Sequence, residues 1–325
     1  NTPIFFFFFD GHATLCNQKA LELANINAST TVTGGEVEVI NGKLSCMLID
    51  NAVDIVKKVL PVRTDDEIIN EIRDRYEVYR DLIGGTTDET ITSLVASGSA
   101  GVGKSFTVMQ ELSNIQVSKP EVRFRLIKGR VSAIDLYEIA YFYREPGCVI
   151  VLDDSDSIFD DEPGLNLLKA LLDTSIDRKI CWSTDHAKFK GDSVLPKEYN
   201  FRGSMIFLTN KDFQATIDFG GSHAEHMSAI MSRSLYVDLK MHSRREVILW
   251  TGYLVRTHKI LQQLGNIDAS EERMLMDWII ANMDSLRYAS VRSVILLGRL
   301  FKRSKESTAS SSQNWERNAK ITLLK

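Results

Sequence analysis

Apolar and polar positions along the chain repeat with two different periods. Over residues 36–40 and 43–48 they alternate every second residue, and the two runs are joined by Asn41-Gly42, a pair suited to the positive φ angles of a two-residue turn. A β-hairpin is predicted there, followed by a short helix at 51–60 that Pro61 ends. From 65 to 83 the apolar positions Ile68, Ile69, Ile72, Tyr76, Tyr79, Leu82 and Ile83 fall three or four apart, as one buried helical face requires, with Gly84-Gly85 as the expected stop. Short apolar runs then recur at 91–95, 122–127, 148–152, 205–208 and 235–239, separated by helical stretches such as 104–112 and 132–143. That alternation predicts an α/β fold with a parallel sheet covered by helices. After Arg244 the pattern is helical throughout, with candidates at 245–264, 270–283 and 290–301 and breaks at Gly265 and 284–288, which reads as a small C-terminal helical domain. The serine-rich stretch 305–313 is expected to be a flexible connection to the last residues. The expected division is therefore 1–60, a small region with the hairpin; 61–240, the α/β domain; 241–303, the helical domain; and 304–325, a flexible tail.

Composition narrows the classes. At 325 residues, 44% hydrophobic and 25% charged, the chain can bury a substantial core and is neither disordered nor fibrous. A net charge of −4 excludes a generally basic nucleic-acid coat, although a local basic surface can hide in that average. Cys16, Cys46, Cys148 and Cys181 form no C-x-x-C pair, so neither a zinc knuckle nor a disulfide framework is indicated, and reduced thiols are expected. No apolar run approaches the roughly 20 residues of a membrane-spanning helix, so a soluble, cytoplasmic protein without membrane contact is expected.

The strongest chemical signal follows the 91–95 run. Gly98, Ser99, Ala100, Gly101, Val102, Gly103, Lys104 and Ser105 fit G-x-x-x-x-G-K-[ST], and Phe106 carries the stretch into a helix. Glycines let successive backbone N–H groups converge on one anion, and the helix adds its positive N-terminal end. Lys104 would reach the β- and γ-phosphates of ATP, and the Ser105 hydroxyl would ligate Mg2+. The apolar run 148–152 ends in Asp153-Asp154. Asp153 would hold the metal through water and Asp154 would orient or deprotonate an attacking water, although acidic residues also simply terminate strands.

On these two motifs the chain resembles the AAA+ ATPases, most closely those of bacteriophage type, over about residues 65–303. The resemblance implies a three-layer αβα P-loop sandwich with a helical lid, and a ring, expected to be hexameric, in the bacterial or infected-host cytoplasm. Members of the family usually carry aspartate then glutamate where this chain has Asp153-Asp154, which leaves the hydrolysis rate open. By the same resemblance, Asn210 after the 205–208 run looks like the sensor 1 residue, Arg233 like the finger reaching a neighbour's nucleotide, and Arg292 like the sensor 2 arginine of the lid. Arg202, Arg244 and Arg245 are reserve candidates for the finger. The loop holding Lys128 and Arg130 corresponds to the family's pore loop, and two basic residues around Gly129 suit a phosphate backbone better than an unfolded polypeptide. A second candidate DNA-contacting segment, 178–202, interleaves Lys188 and Lys190 with Trp182, Phe189 and Tyr199, although Trp182 and Tyr199 could equally pack the base of a hairpin. The expected function is a Mg2+-dependent ATPase motor acting on DNA or a nucleoprotein complex. The alternatives are a protein-remodelling ATPase and a slow ATP-dependent assembly switch.

Overall fold

The computed structural model describes residues 3–7, 12–59, 63–175, 177–182, 195–220, 224–308 and 314–325. It divides into two compact units, Asn1–Thr64 and Asp65–Lys325.

In the first unit the predicted hairpin is present as β3 (Gly35–Ile40) and β4 (Lys43–Asp50), turned by Asn41 and Gly42 at φ 52° and 75°. It belongs to a larger antiparallel sheet. β1 (Phe5–Phe7) and β2 (Ala13–Cys16) add to it in the order β1-β2-β4-β3. α1 (Gln18–Leu23), capped by the Asn17 side chain, and α2 (Asn51–Val59) bury Leu21, Val53 and Val56 against Leu48. β1, β2 and α1 carry too few residues each for a period to register in the sequence.

The second unit opens with α3 (Asp65–Gly85), which runs through both glycines expected to stop it. It ends because the Thr86 and Thr87 hydroxyls donate to the last carbonyls, of Ile83 at 2.7 Å and Gly84 at 2.8 Å. There follow β5 (Ser93–Ser97), α4 (Lys104–Ser118), β6 (Arg123–Lys128), α5 (Ala133–Phe142), β7 (Cys148–Asp153) and α6 (Glu162–Leu171). A short antiparallel pair, β8 (Arg178–Cys181) and β9 (Glu198–Phe201), precedes β10 (Ser204–Thr209), α7 (Phe213–Phe219), α8 (Ala224–Met231) and β11 (Leu235–Asp238). The main sheet is wholly parallel, in the order β11-β5-β10-β7-β6.

Alternate residues of its central strands serve opposite faces. Val149, Val151, Ile206 and Leu208 pack with Tyr76, Val108 and Trp250, whereas Ile150, Leu152, Met205 and Phe207 pack with Leu136, Leu168 and Phe213. Helices therefore cover both faces, and the fold is the expected three-layer sandwich. Because β10 lies between β5 and β7, the segments leaving the carboxyl ends of all three strands are neighbours, the place where open α/β sheets bind ligands.

The helical lid is formed by α9 (Arg244–His258), α10 (Ala269–Ala281), α11 (Val291–Glu306) and α12 (Trp315–Leu323). α9 stops earlier than the pattern suggested. Lys259 turns left-handed at φ 49°, and the Ile260 N–H closes back on the Val255 carbonyl. The segment expected to be a flexible tail is instead helical at its end. α12 buries Ala319 and Leu323, sets Trp315 against Trp278 and Phe301, and pairs Leu324 with Leu286. Of the stretch 305–313 expected to be a flexible connection, Lys305 and Glu306 belong to α11 and 309–313 lie outside the described residues; its serine-rich composition concealed the apolar face beyond it.

Candidate nucleotide site

The loop between β5 and α4 is shaped by its glycines. Gly101 and Gly103 take φ of 76° and 105°, and a Cβ at Gly101 would stand 2.8 Å from the Ser290 Cβ. Two buried aromatic side chains hold the loop from beneath. Tyr76 Oη and Trp250 Nε1 both donate to the Val102 carbonyl, at 2.7 and 3.0 Å. On the lid side, the Val291 N–H donates to the Gly101 carbonyl at 3.3 Å.

Lys104, only 7% exposed, turns its ammonium back into this loop and donates to the carbonyls of Gly98 at 2.6 Å and Ser99 at 3.0 Å, and to Asn210 Oδ1 at 2.8 Å. Burial pushes its pKa down to about 8, against the pull of Asp154 and Asp153, and Arg292 lowers it further. Asn210 in turn donates through Nδ2 to Asp154 Oδ1 at 2.9 Å. An ammonium only donates and a carboxylate only accepts, so the two partners fix the orientation of the Asn210 amide. Asp154 itself sits in the left-handed region at φ 52°, its N–H tied to the Leu208 carbonyl and its side chain exposed.

Beside this chain of contacts, Ser105 Oγ donates to Asp153 Oδ1 at 2.9 Å. The other carboxylate oxygen of Asp153 pairs with Lys128 Nζ at 3.2 Å. Lys128, expected to face DNA, is thus engaged with the acidic residue at the end of β7, while Arg130 is exposed. Lys188 and Lys190 lie outside the described residues. At the base of their segment Trp182 and Tyr199 both pack on Tyr137, with ring centroids 5.5 and 4.9 Å away, so of the two readings for these aromatics the structure shows packing. The stem is clasped by buried Arg178, which donates to the carbonyls of Phe201, Leu171 and Gly203.

The loop, Asp153, Asp154 and Asn210 open onto one cavity of about 330 Å³, which Arg292 also lines from the lid. Sequence reasoning missed its far wall: Leu254 and His258 from α9, Ile260 just beyond it, and Val291 and Ile295 from α11. The only trace in the sequence is the i, i+4 spacing of 254/258 and 291/295. Phe106 meets the His258 ring edge-on at 5.2 Å, and burial, with Arg80, holds that imidazole below its ordinary pKa. Arg233 is not among the lining residues; its guanidinium donates to the Ala229 carbonyl at 2.8 Å. The reserve arginines are engaged within the chain: Arg202 with Glu89 and Asp177, Arg244 with the carbonyls of Met283 and Leu286, and Arg245 with Asp65.

The cavity fits a nucleotide. A buried ammonium satisfied by carbonyls and an amide faces a loop of backbone donors, the arrangement that a phosphate chain completes. Ser105 and Asp153 are adjacent hard oxygen donors, as many as Mg2+ usually takes from protein when phosphates supply further ligands.

Compared with known proteins, 248 residues of the chain are 32% identical to an uncharacterized 36.7 kDa protein from the nrdC-mobD intergenic region of Enterobacteria phage T4, covering 76% of this chain and 75% of that one. The chain belongs to that phage protein's family. Its fold, with the phosphate loop after β5 of a five-stranded parallel sheet and a helical lid at the C-terminus, has the arrangement that the resemblance to AAA+ ATPases implies. No family model matches this member of the phage family. Among solved structures, domain III of the Thermotoga maritima replication initiation protein DnaA is 10% identical with a TM-score of 0.47, covering 82% of this chain and 99% of that one. Aeropyrum pernix Orc1 in complex with DNA is 12% identical with a TM-score of 0.44, covering 76% of this chain and 64% of that one. Among the described residues, no helix of this phage-family member is long and apolar enough to cross a membrane.

Proposed function

We propose that the protein binds Mg-ATP in this cavity and hydrolyses it, as a ring-forming motor that acts on DNA or a nucleoprotein complex. The observation that carries the reading is the unbroken contact chain Lys104–Asn210–Asp154 set beside the Ser105–Asp153 pair on one cavity wall. In this reading Lys104 and the backbone of residues 98–106 hold the phosphates, and Ser105 and Asp153 hold the metal, which neutralises phosphate charge. Asp154 accepts a proton from the attacking water. Asn210 fixes the carboxylate by one oxygen and leaves the other to the water, so the base is oriented before the substrate arrives. Arg292 approaches the γ-phosphate from the lid of the same chain. Arg233, which does not line its own chain's cavity, completes the site of a neighbour as a transition-state cation.

The test is steady-state ATP hydrolysis by wild type, Lys104→Ala, Asp154→Asn and Arg233→Ala, alone and with single-stranded DNA, duplex DNA or an unfolded protein. Turnover raised by DNA and lost in all three variants is expected. Stimulation by the unfolded protein alone would select a remodelling ATPase. Tight ATP binding without turnover under every condition would replace the motor with a switch.

A further inference from the structure

The outward stripe of α11 is made of Arg292, Leu296, Arg299 and Arg303, all exposed. They lie at i, i+4, i+7 and i+11, so at about 100° per residue they share one narrow face of the helix. The opposite face buries Val294, Leu297, Gly298 and Phe301. α11 holds five basic residues and one acidic one, in a chain whose net charge is −4. Within the fold, Lys305 is bonded to Glu271 and Lys302 donates to the Leu264 carbonyl. Arg299 has no ion pair or hydrogen bond among the described residues. With Lys302, Arg303 and Glu306 it lines a surface cavity of about 340 Å³. Before the helix begins, Tyr288 stands 79% exposed, and it shares a second cavity, of about 750 Å³, with Leu296 and Arg292.

We propose that this face of α11, with Tyr288, binds single-stranded nucleic acid. The proposal rests on the reading of the partner above and moves the contact from the β6 loop, where Lys128 is held by Asp153, to the lid. Arg292 to Arg303 spans about 16 Å at 1.5 Å per residue, roughly five nucleotides at 3.4 Å of rise per charge on one strand. Guanidinium groups match phosphate oxygens with paired donors. An exposed tyrosine offers a ring on which a base of any sequence can stack. A polyanion is the partner that charge complementarity selects, because an acidic chain has concentrated three arginines on one helical stripe against a single carboxylate, Glu306 at its far end, which lies 4.0 Å from Lys302. The stripe starts at the nucleotide cavity, so a strand lying along it would bear directly on Arg292.

The experiment is fluorescence anisotropy of a labelled oligothymidylate titrated with the full chain, comparing wild type with Tyr288→Ala and with the double variant Arg299→Glu, Arg303→Glu. Affinity for a fluorescent ATP analogue and the denaturation midpoint serve as controls for folding. The double variant is expected to weaken DNA binding at least tenfold and to flatten the slope of log affinity against log salt by about 1.4, the value for two phosphate contacts on a single strand. Tyr288→Ala is expected to weaken it roughly five- to a hundredfold with the salt slope unchanged. ATP-analogue affinity should stay constant in both. If charge reversal unfolds the chain, Arg299→Gln with Arg303→Gln gives the same test with a smaller loss. Wild-type affinity in the variants would overturn the surface and leave the nucleic-acid reading standing. A wild type that binds no single strand would overturn both. Loss of self-association rather than of DNA binding would make the stripe a contact between copies and overturn the proposal.

Discussion

Lys104 is a cation placed where only carbonyls and an amide receive it, and its proton is correspondingly easy to lose. Its pKa of about 8 lies below the 10.5 of an ordinary lysine, so between those values the unfolded chain binds more protons than the folded one. The nucleotide-free protein should therefore gain stability as pH rises across that window. Phosphates reverse the sense, because they favour the charged ammonium. Nucleotide binding at pH 9 is expected to take up a proton, and affinity to fall as pH climbs above 8. Calorimetric titrations in two buffers with different ionisation heats would read that uptake, and heats that agree between the buffers would show that Lys104 stays charged throughout. Asp154 permits a sharper separation. Asp154→Asn keeps the shape and the contact with Asn210 but removes the base, so turnover should drop roughly 100-fold or more with ATP affinity retained. A variant that loses binding as well would mean that Asp154 is a ligand and not a base.

At the scale of elements, the phosphate loop is positioned by helices far from it in sequence. The Val102 carbonyl accepts from Tyr76 on α3 and Trp250 on α9, so either donor alone still satisfies it. Tyr76→Phe is expected to cost about 1 kcal/mol, and adding Trp250→Phe, which leaves a buried carbonyl bare, should cost more than the two single changes summed. Denaturant titrations of the four proteins in that cycle check it. Arg178→Met strips three carbonyls at the base of the β8–β9 pair and should destabilise the chain by on the order of 3 kcal/mol, read the same way. These tertiary bonds also mark where the sequence stops being readable. The phosphate loop, Asp153-Asp154, the apolar strands and α3 are legible because each is written in consecutive or periodic residues. Asn210 and the lid arginines become legible only by resemblance, since a lone polar residue after a strand has no period. The far wall of the cavity, the Lys128–Asp153 pair and the Tyr76–Trp250 clasp join residues tens to more than a hundred positions apart. No local pattern encodes such a pairing, and α12 was hidden because its short apolar face follows a serine-rich stretch.

For the molecule as a whole, every residue lining the nucleotide cavity lies within Asp65–Lys325, one of the two compact units. A chain of residues 65–325 is therefore expected to bind ATP with the affinity of the full chain, as equilibrium binding would show. Ending the chain at residue 308 removes α12 from Trp278, Phe301 and Leu286, and should lower the denaturation midpoint. The bond from the Val291 amide to the Gly101 carbonyl has a use of its own. It joins α11 of the lid to the phosphate loop, which Trp250 of α9 holds separately, so its proton is a spectroscopic gauge of whether α11 is seated. Slow solvent exchange of that one amide means a seated lid, fast exchange a lifted one, and its rate across the empty, ATP and ADP states would time the stroke without a label.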